Sequence, residues 1–120
     1  EKDIDILFIF FQLQCLVYLG YQPSIHNCAR CNHQLQTAIF DFSIGQLTCE
    51  KCCNYKLKLD CESIRIIDYL IKTHLTKIVD DFEFSYKKLT TINKFLYNYV
   101  LYHLPDTKRS KALAMKNHYE

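Results

Sequence analysis

Cys28-Ala29-Arg30-Cys31 and Cys49-Glu50-Lys51-Cys52 decide how this chain is to be read. Two residues stand inside each pair, and seventeen separate Cys31 from Cys49. Two intervening residues let a tight turn aim both sulfurs at one point. A second such turn supplies the other half of a tetrahedron, with Zn–S bonds of about 2.3 Å. This is the spacing of a structural zinc site, and Cys28, Cys31, Cys49 and Cys52 are its candidate ligands. Four thiolates close the coordination sphere of one Zn2+ ion and leave no position for a reacting water. Cys53 is an alternative to Cys52 by a one-residue slip, His26 and His33 are nearby reserves, and Cys61 reads as a helix-start or core residue. Arg30 and Lys51, inside the turns, would soften the excess negative charge of the quartet.

Between the pairs, Thr37-Ala38-Ile39-Phe40-Asp41-Phe42 is rich in strand formers. Ser43-Ile44-Gly45-Gln46 reads as a turn and Leu47-Thr48 as a short return strand. A hairpin bracketed by two cysteine turns has the plan of a zinc ribbon. Asn32 follows the first pair, a residue that tolerates positive φ better than most.

The surrounding chain reads as helix. Residues 4–19 are apolar on every face, from Ile4 to Leu19, which predicts a helix packed on most sides, with Cys15 as a small buried hydrophobe. Gly20 can take the left-handed conformation that ends it, and Pro23 prevents a restart. The stretch carries Asp5, Gln12 and Gln14 and falls short of the about 20 residues that span a bilayer, so no membrane role is expected. After Asp60, the residues Ile64, Ile67, Leu70, Ile71 and Leu75 form one helical stripe, with Asp60 or Ser63 as its cap. Residues 76–85 are mixed and read as a loop. A third stripe runs Leu89, Ile92, Phe95, Leu96, Tyr99, Val100 and stops before Pro105. Residues 108–117 are expected to form a last short helix, with Leu113 and Met115 as anchors.

The 120 residues, 49% hydrophobic and 14% aromatic, are enough for one domain with a modest core. Two glycines and two prolines leave little room for loops. The net charge of +2 implies by itself no nucleic-acid partner. Seven cysteines make an odd count, and with the paired spacing this favours metal thiolates in a reducing, cytoplasmic setting over a disulfide framework. The chain begins at Glu1 rather than Met, as a piece of a longer protein would. A catalytic zinc would need three protein ligands, an open position and a general base. No His-Glu-x-x-His, no deaminase signature and no phosphate-cradling glycine loop occurs, so no enzyme is expected.

Three stretches carry a resemblance. Tyr18-Leu19-Gly20-Tyr21-Gln22-Pro23 leads into the first cysteine pair. Phe42-Ser43-Ile44-Gly45-Gln46-Leu47-Thr48 leads into the second. Tyr99-Val100-Leu101-Tyr102-His103-Leu104 is followed by Lys108-Arg109-Ser110. In order and spacing, roughly over residues 4–113, the chain resembles the C-terminal domain of the bacterial recombination and repair protein RecO. It departs from the family pattern at Asn32, where glycine is usual, in the single glycine of the hairpin turn, and at Pro105-Asp106-Thr107.

The resemblance implies a mainly α fold: one helical bundle domain over 1–120 with a zinc-binding β-hairpin insert over 26–54. The oligonucleotide-binding barrel of the family has no room before Glu1. It implies a recombination mediator in DNA repair that anneals strands and helps load RecA. Its partners would be RecR, the acidic tail of single-strand-binding protein, and single- and double-stranded DNA, the last mostly through the absent barrel. It also implies a cytoplasmic, nucleoid-associated protein without catalysis. Lys108, Arg109 and Lys111 are its candidate DNA or partner contacts, and such contacts would go to phosphates. The rival reading is a freestanding zinc-ribbon interaction module in transcription or translation.

Overall fold

The computed structural model describes residues 2–73 and 85–104. Three helices and a three-stranded sheet follow in the order α1 (Lys2–Leu19), β1 (Ala38–Asp41), β2 (Gln46–Thr48), β3 (Lys58–Leu59), α2 (Cys61–Lys72) and α3 (Tyr86–His103). This is the mainly helical domain with a β-hairpin that the sequence predicts. The loop expected at 76–85, but for Ser85, and the helix expected at 108–117 lie outside the described residues.

The helices pack pairwise on one another. Ile9, Leu13 and Leu16, at i, i+4 and i+7 on α1, are fully buried with Ile66, Ile67 and Leu70 of α2 and Ile92, Phe95 and Leu96 of α3. Burying each such side chain is worth about 1.5–3 kcal/mol, so this stripe carries the bundle. The two glutamines of α1 are tied to neighbours. Gln12 donates to Asn93 Oδ1 at 3.4 Å, and Gln14 donates at 3.2 Å to the carbonyl of Leu70, near the end of α2 where helix carbonyls lack partners. The helix is covered on most sides, as expected, except along one stripe. Phe11, Cys15 and Tyr18 fall on a second stripe that faces solvent, so Cys15 is exposed rather than buried.

The ends of the helices follow local chemistry. At the end of α1, Gly20 takes φ 85°, Tyr21 N–H bonds the Leu16 carbonyl at 2.8 Å, and Gly20 N–H bonds that of Val17 at 3.1 Å. These two bonds make a Schellman cap, which only a residue tolerant of positive φ can close. At the start of α2, Asp60 Oδ1 accepts from Ser63 N–H at 2.8 Å, so Asp60 is the cap and Ser63 is buried one turn later. Cys61 is the first residue of α2 and is exposed.

The sheet has the order β2-β1-β3, antiparallel throughout. Ile39 pairs with Thr48, Phe40 with Leu47 and Asp41 with Gln46, which is the expected hairpin. The third strand, pairing Leu59 with Ala38 and Lys58 with Ile39, is an addition to it. It makes β1 central, and all four β1 residues are buried. Phe40 then packs edge-on to Phe95 of α3 at 5.7 Å, which seats the sheet on the bundle.

Candidate metal centre

The first cysteine turn is itself a small hairpin. Cys28 N–H bonds the His33 carbonyl at 2.8 Å, Asn32 N–H bonds the Cys28 carbonyl at 2.9 Å, and Asn27 bridges Gln34. Asn32 turns the chain with φ 65°, the positive value its side chain tolerates. In the second turn Cys52 and Cys53 N–H groups both reach the Cys49 carbonyl, at 3.1 and 3.2 Å. β2 runs between the two turns: Ala29 N–H bonds the Leu47 carbonyl at 3.0 Å, and Cys49 N–H reaches Cys28 Sγ at 3.2 Å.

These turns bring the sulfurs of Cys28, Cys31, Cys49 and Cys52 within 4.8 Å of one another. A tetrahedral ion with bonds of about 2.3 Å would set its sulfurs about 3.8 Å apart. Cys31 Sγ and Cys49 Sγ, at 3.6 Å, already stand near that separation. Four cysteines in such a cluster can hold one metal ion. All-sulfur donors suit zinc, and a closed quartet suits a structural site.

The charge of the quartet is handled by backbone donors. Cys28, 2% exposed, accepts from the N–H groups of Arg30, Cys31 and Cys49 at 3.4, 3.5 and 3.2 Å. Burial pushes its thiol up, but these donors outweigh burial and bring it down to about 6. Burial also raises Cys49, and hydrogen bonds from Cys52 and Cys31 more than offset it, so its thiol is lowered. Sharing a hydrogen bond with Cys49, with burial added, pushes Cys52 up to about 12. The thiolate form is thus favoured at Cys28 and Cys49 and the thiol form at Cys52, and a divalent cation would compete with protons for the same lone pairs.

The reserve ligands lie elsewhere. His26 Nε2 pairs with Asp68 of α2 at 3.4 Å. His33 Nδ1 sits 3.4 Å from Cys31 Sγ but is not among the four clustered ligand atoms. Cys53 is not among the four clustered sulfurs. Arg30 has a partner that its sequence context hides: its Nε donates to Asp41 Oδ2 at 2.9 Å. Lys108, Arg109 and Lys111 lie outside the described residues.

The cysteine module is joined to the bundle by a clasp that sequence reasoning missed as a unit. Tyr99 O–H donates to the Tyr21 carbonyl at 2.9 Å, and His103 Nε2 donates to the Gly45 carbonyl at 2.6 Å. The Tyr102 ring lies on Gly45, which has φ 67°. The stretch after α1, the hairpin turn and the end of α3 therefore meet in one place. A sequence signal exists in hindsight, since each contributes aromatic residues or glycine beside a structural boundary.

A helical bundle carrying a sheet pinned between two cysteine turns defines a class: a metal-knuckle domain whose ion would serve architecture. The family described as Recombination protein O C terminal matches residues 1–112, so the chain belongs to that family. It is similar to the DNA repair protein RecO of Caldicellulosiruptor bescii, 30% identical over 79 residues, covering 64% of this chain and 32% of that protein. It is similar also to that of Oceanobacillus iheyensis, 26% identical over 105 residues, 82% of this chain and 39% of the relative. A third relative, the DNA repair protein RecO of Thermodesulfovibrio yellowstonii, is 28% identical over 109 residues, 83% of this chain and 43% of the relative. The chain thus spans less than half the length of these relatives. No solved structure gives a significant match. Among the described residues no helix is long and apolar enough to cross a membrane.

Proposed function

We propose that this chain is the zinc-stabilised C-terminal domain of a RecO-type recombination mediator in DNA repair. The observation that carries the reading is the cluster of Cys28, Cys31, Cys49 and Cys52 within 4.8 Å in a chain of this family. In this reading 1–120 is one helical domain, 26–54 is its metal insert, and one Zn2+ ion closes the insert. The role is binding, not catalysis: a four-thiolate sphere offers no open position to activate water. The chain works in the cytoplasm beside the nucleoid. It meets RecR, the acidic tail of single-strand-binding protein, and DNA, and through them RecA loading and strand annealing. Lys108, Arg109 and Lys111 contribute phosphate or acidic-peptide contacts that weaken with salt.

The test is a pull-down of the parent protein against single-strand-binding protein with and without its acidic tail. Capture only of the tailed form supports the reading, and equal capture of both forms removes the tail from it. Charge reversal at Lys108 and Arg109 should lower capture of RecR or DNA. Capture that is the same at every salt concentration and in the reversed variant counts against the basic tail.

A further inference from the structure

A cleft of about 690 Å³ opens where the segment after the second cysteine turn passes α3. Phe42, Tyr55 and Leu57 form its apolar part, Lys56 and Lys94 stand as its cations, and among the described residues no acidic side chain lines it. Phe42 and Tyr55 meet edge to face at 5.7 Å and stay 46% and 47% exposed. Phe11, Tyr18, Tyr86 and Tyr102 are exposed as well, so what sets Phe42 and Tyr55 apart is that they touch each other at the wall of a cleft that also holds cations. Phe42 also leans on Phe40 at 4.9 Å, which anchors it to the core.

A second cleft, of about 320 Å³, lies on the same helix and is lined by Lys58, Lys87, Lys88 and Thr91 and by the carboxylate of Asp60, among others. Lys87, Thr91, Lys94 and Asn98 recur at i, i+4, i+7 and i+11, so they share one face of α3. That face is about 16 Å long at 1.5 Å per residue. On the facing segment Lys56 and Lys58 alternate with Leu57 and the buried Leu59. Lys88 is occupied by Asp60 and Glu62. Lys56, Lys87 and Lys94 remain as cations along the groove, while Lys58 stands 4.0 Å from Glu50.

We propose that this groove binds a single-stranded oligonucleotide, with bases against Phe42 and Tyr55 and phosphates on Lys56, Lys94 and Lys87. The proposal deepens the DNA-associated reading above, on which its choice of ligand rests. Planar bases fit open aromatic faces, and stacking on such a platform is tolerant of sequence. Ordered cations along one helix face match a polyanion that runs through the groove. Asn98 lines the same cleft; its Nδ2 donates to the Lys94 carbonyl at 2.8 Å, which leaves its Oδ1 to accept from a base edge. An acidic peptide would satisfy the lysines, but it carries no repeating planar group for the rings. The two-residue β3 edge also offers its backbone little to pair with.

The experiment is fluorescence anisotropy of the full chain with a labelled oligothymidylate about fifteen nucleotides long, over a range of salt. Lys56→Glu and Lys94→Glu should each weaken binding about tenfold and flatten the salt dependence by about one unit of slope. Tyr55→Ala should weaken it at least about fivefold, the loss of one stacking partner. Lys72→Glu, on exposed α2 away from the groove, should bind within about twofold of wild type. Circular dichroism confirms that each variant is folded. Groove variants that bind as wild type overturn the proposal. So does a polyglutamate peptide ending in phenylalanine that displaces the oligonucleotide at equal concentration, because the groove then belongs to acidic peptides. The pull-down above has a separate readout: its failure with oligothymidylate still mapping to the groove sinks the mediator reading alone. Success there with unaffected groove variants sinks the groove alone.

Discussion

Asp41 ends β1 at 3% exposure, and its carboxylate is held from two sides. Oδ1 accepts from Ser43 N–H at 3.0 Å and Ser43 Oγ at 2.6 Å, and Oδ2 accepts from Arg30 Nε at 2.9 Å. The Ser43 hydroxyl above all, then Arg30, holds its carboxyl below the usual carboxylate range against the opposing effect of burial. The sequence context of Arg30, inside a cysteine turn, points to the sulfurs. The fold turns the half-exposed guanidinium to a carboxylate eleven residues on, and a carboxylate as buried as this one is costly to leave without its partners. Because the folded value is depressed, the stabilisation is present above the unfolded carboxylate value of about 3.9 and is lost as pH falls through the folded one. The stability difference between wild type and Asp41→Asn should therefore stay level from neutral pH to about 4 and close below it. Denaturant titrations across that range check this. Both proteins share the same cysteines, so acid release of a metal cancels in the difference. Cys15 is a residue the sequence misplaces: an all-apolar helix gives no sign of which stripe faces outward until its neighbours are in place.

Among elements, the end of α3 shows how a helix can hold a loop far away in sequence. Its last turn lays Tyr102 on Gly45 and bonds His103 to the Gly45 carbonyl. A Cβ at Gly45 would fall within the Tyr102 ring, and φ 67° already disfavours any side chain. Gly45→Ala should cost about 2–3 kcal/mol in chemical denaturation, from backbone strain of about 1–2 kcal/mol and a displaced ring. Adding Tyr102→Ala should recover the clash but not the strain, so the double variant costs less than the two changes summed. Equal additive losses would show that the ring does not press on the turn. The start of α2 and the end of α1 were legible because caps are local: Asp60 and Gly20 act on their own chain neighbours. β3 was not, since two residues in a polar run have no periodicity and gain strand geometry only by pairing with Ala38 and Ile39.

For the whole molecule one core joins the helices to the sheet, and the helices supply most of its large side chains. The three helices share the buried stripe of Ile9, Leu13, Ile67, Phe95 and Leu96. The sheet adds few large side chains, chiefly Phe40, Ile39 and Leu47, and its turns hang on the cysteines. An ion held there would close a loop of about twenty residues, which by analogy with other cross-links would be worth about 3 kcal/mol. Metal analysis of the purified chain should give about one zinc per molecule. Cys31→Ser should lose that zinc and much of the thermal stability, whereas Cys53→Ser should keep both. A fully folded preparation that contains no metal would count heavily against the zinc assignment. So would a Cys53→Ser variant that loses its zinc.

The sequence by itself determined the helices, the hairpin and the cysteine quartet that clusters in space. Helical stripes, caps and the C-x2-C turns are short-range patterns, and their physics is complete within a few neighbouring residues. Tertiary structure alone decided what they do to one another: which face of α1 meets solvent, that Arg30 answers Asp41, that β3 completes the sheet, and that Phe42 and Tyr55 share a groove with Lys94. Each of these is a contact between residues distant along the chain, and its free energy exists only after the backbone has brought both partners out of water to the same place.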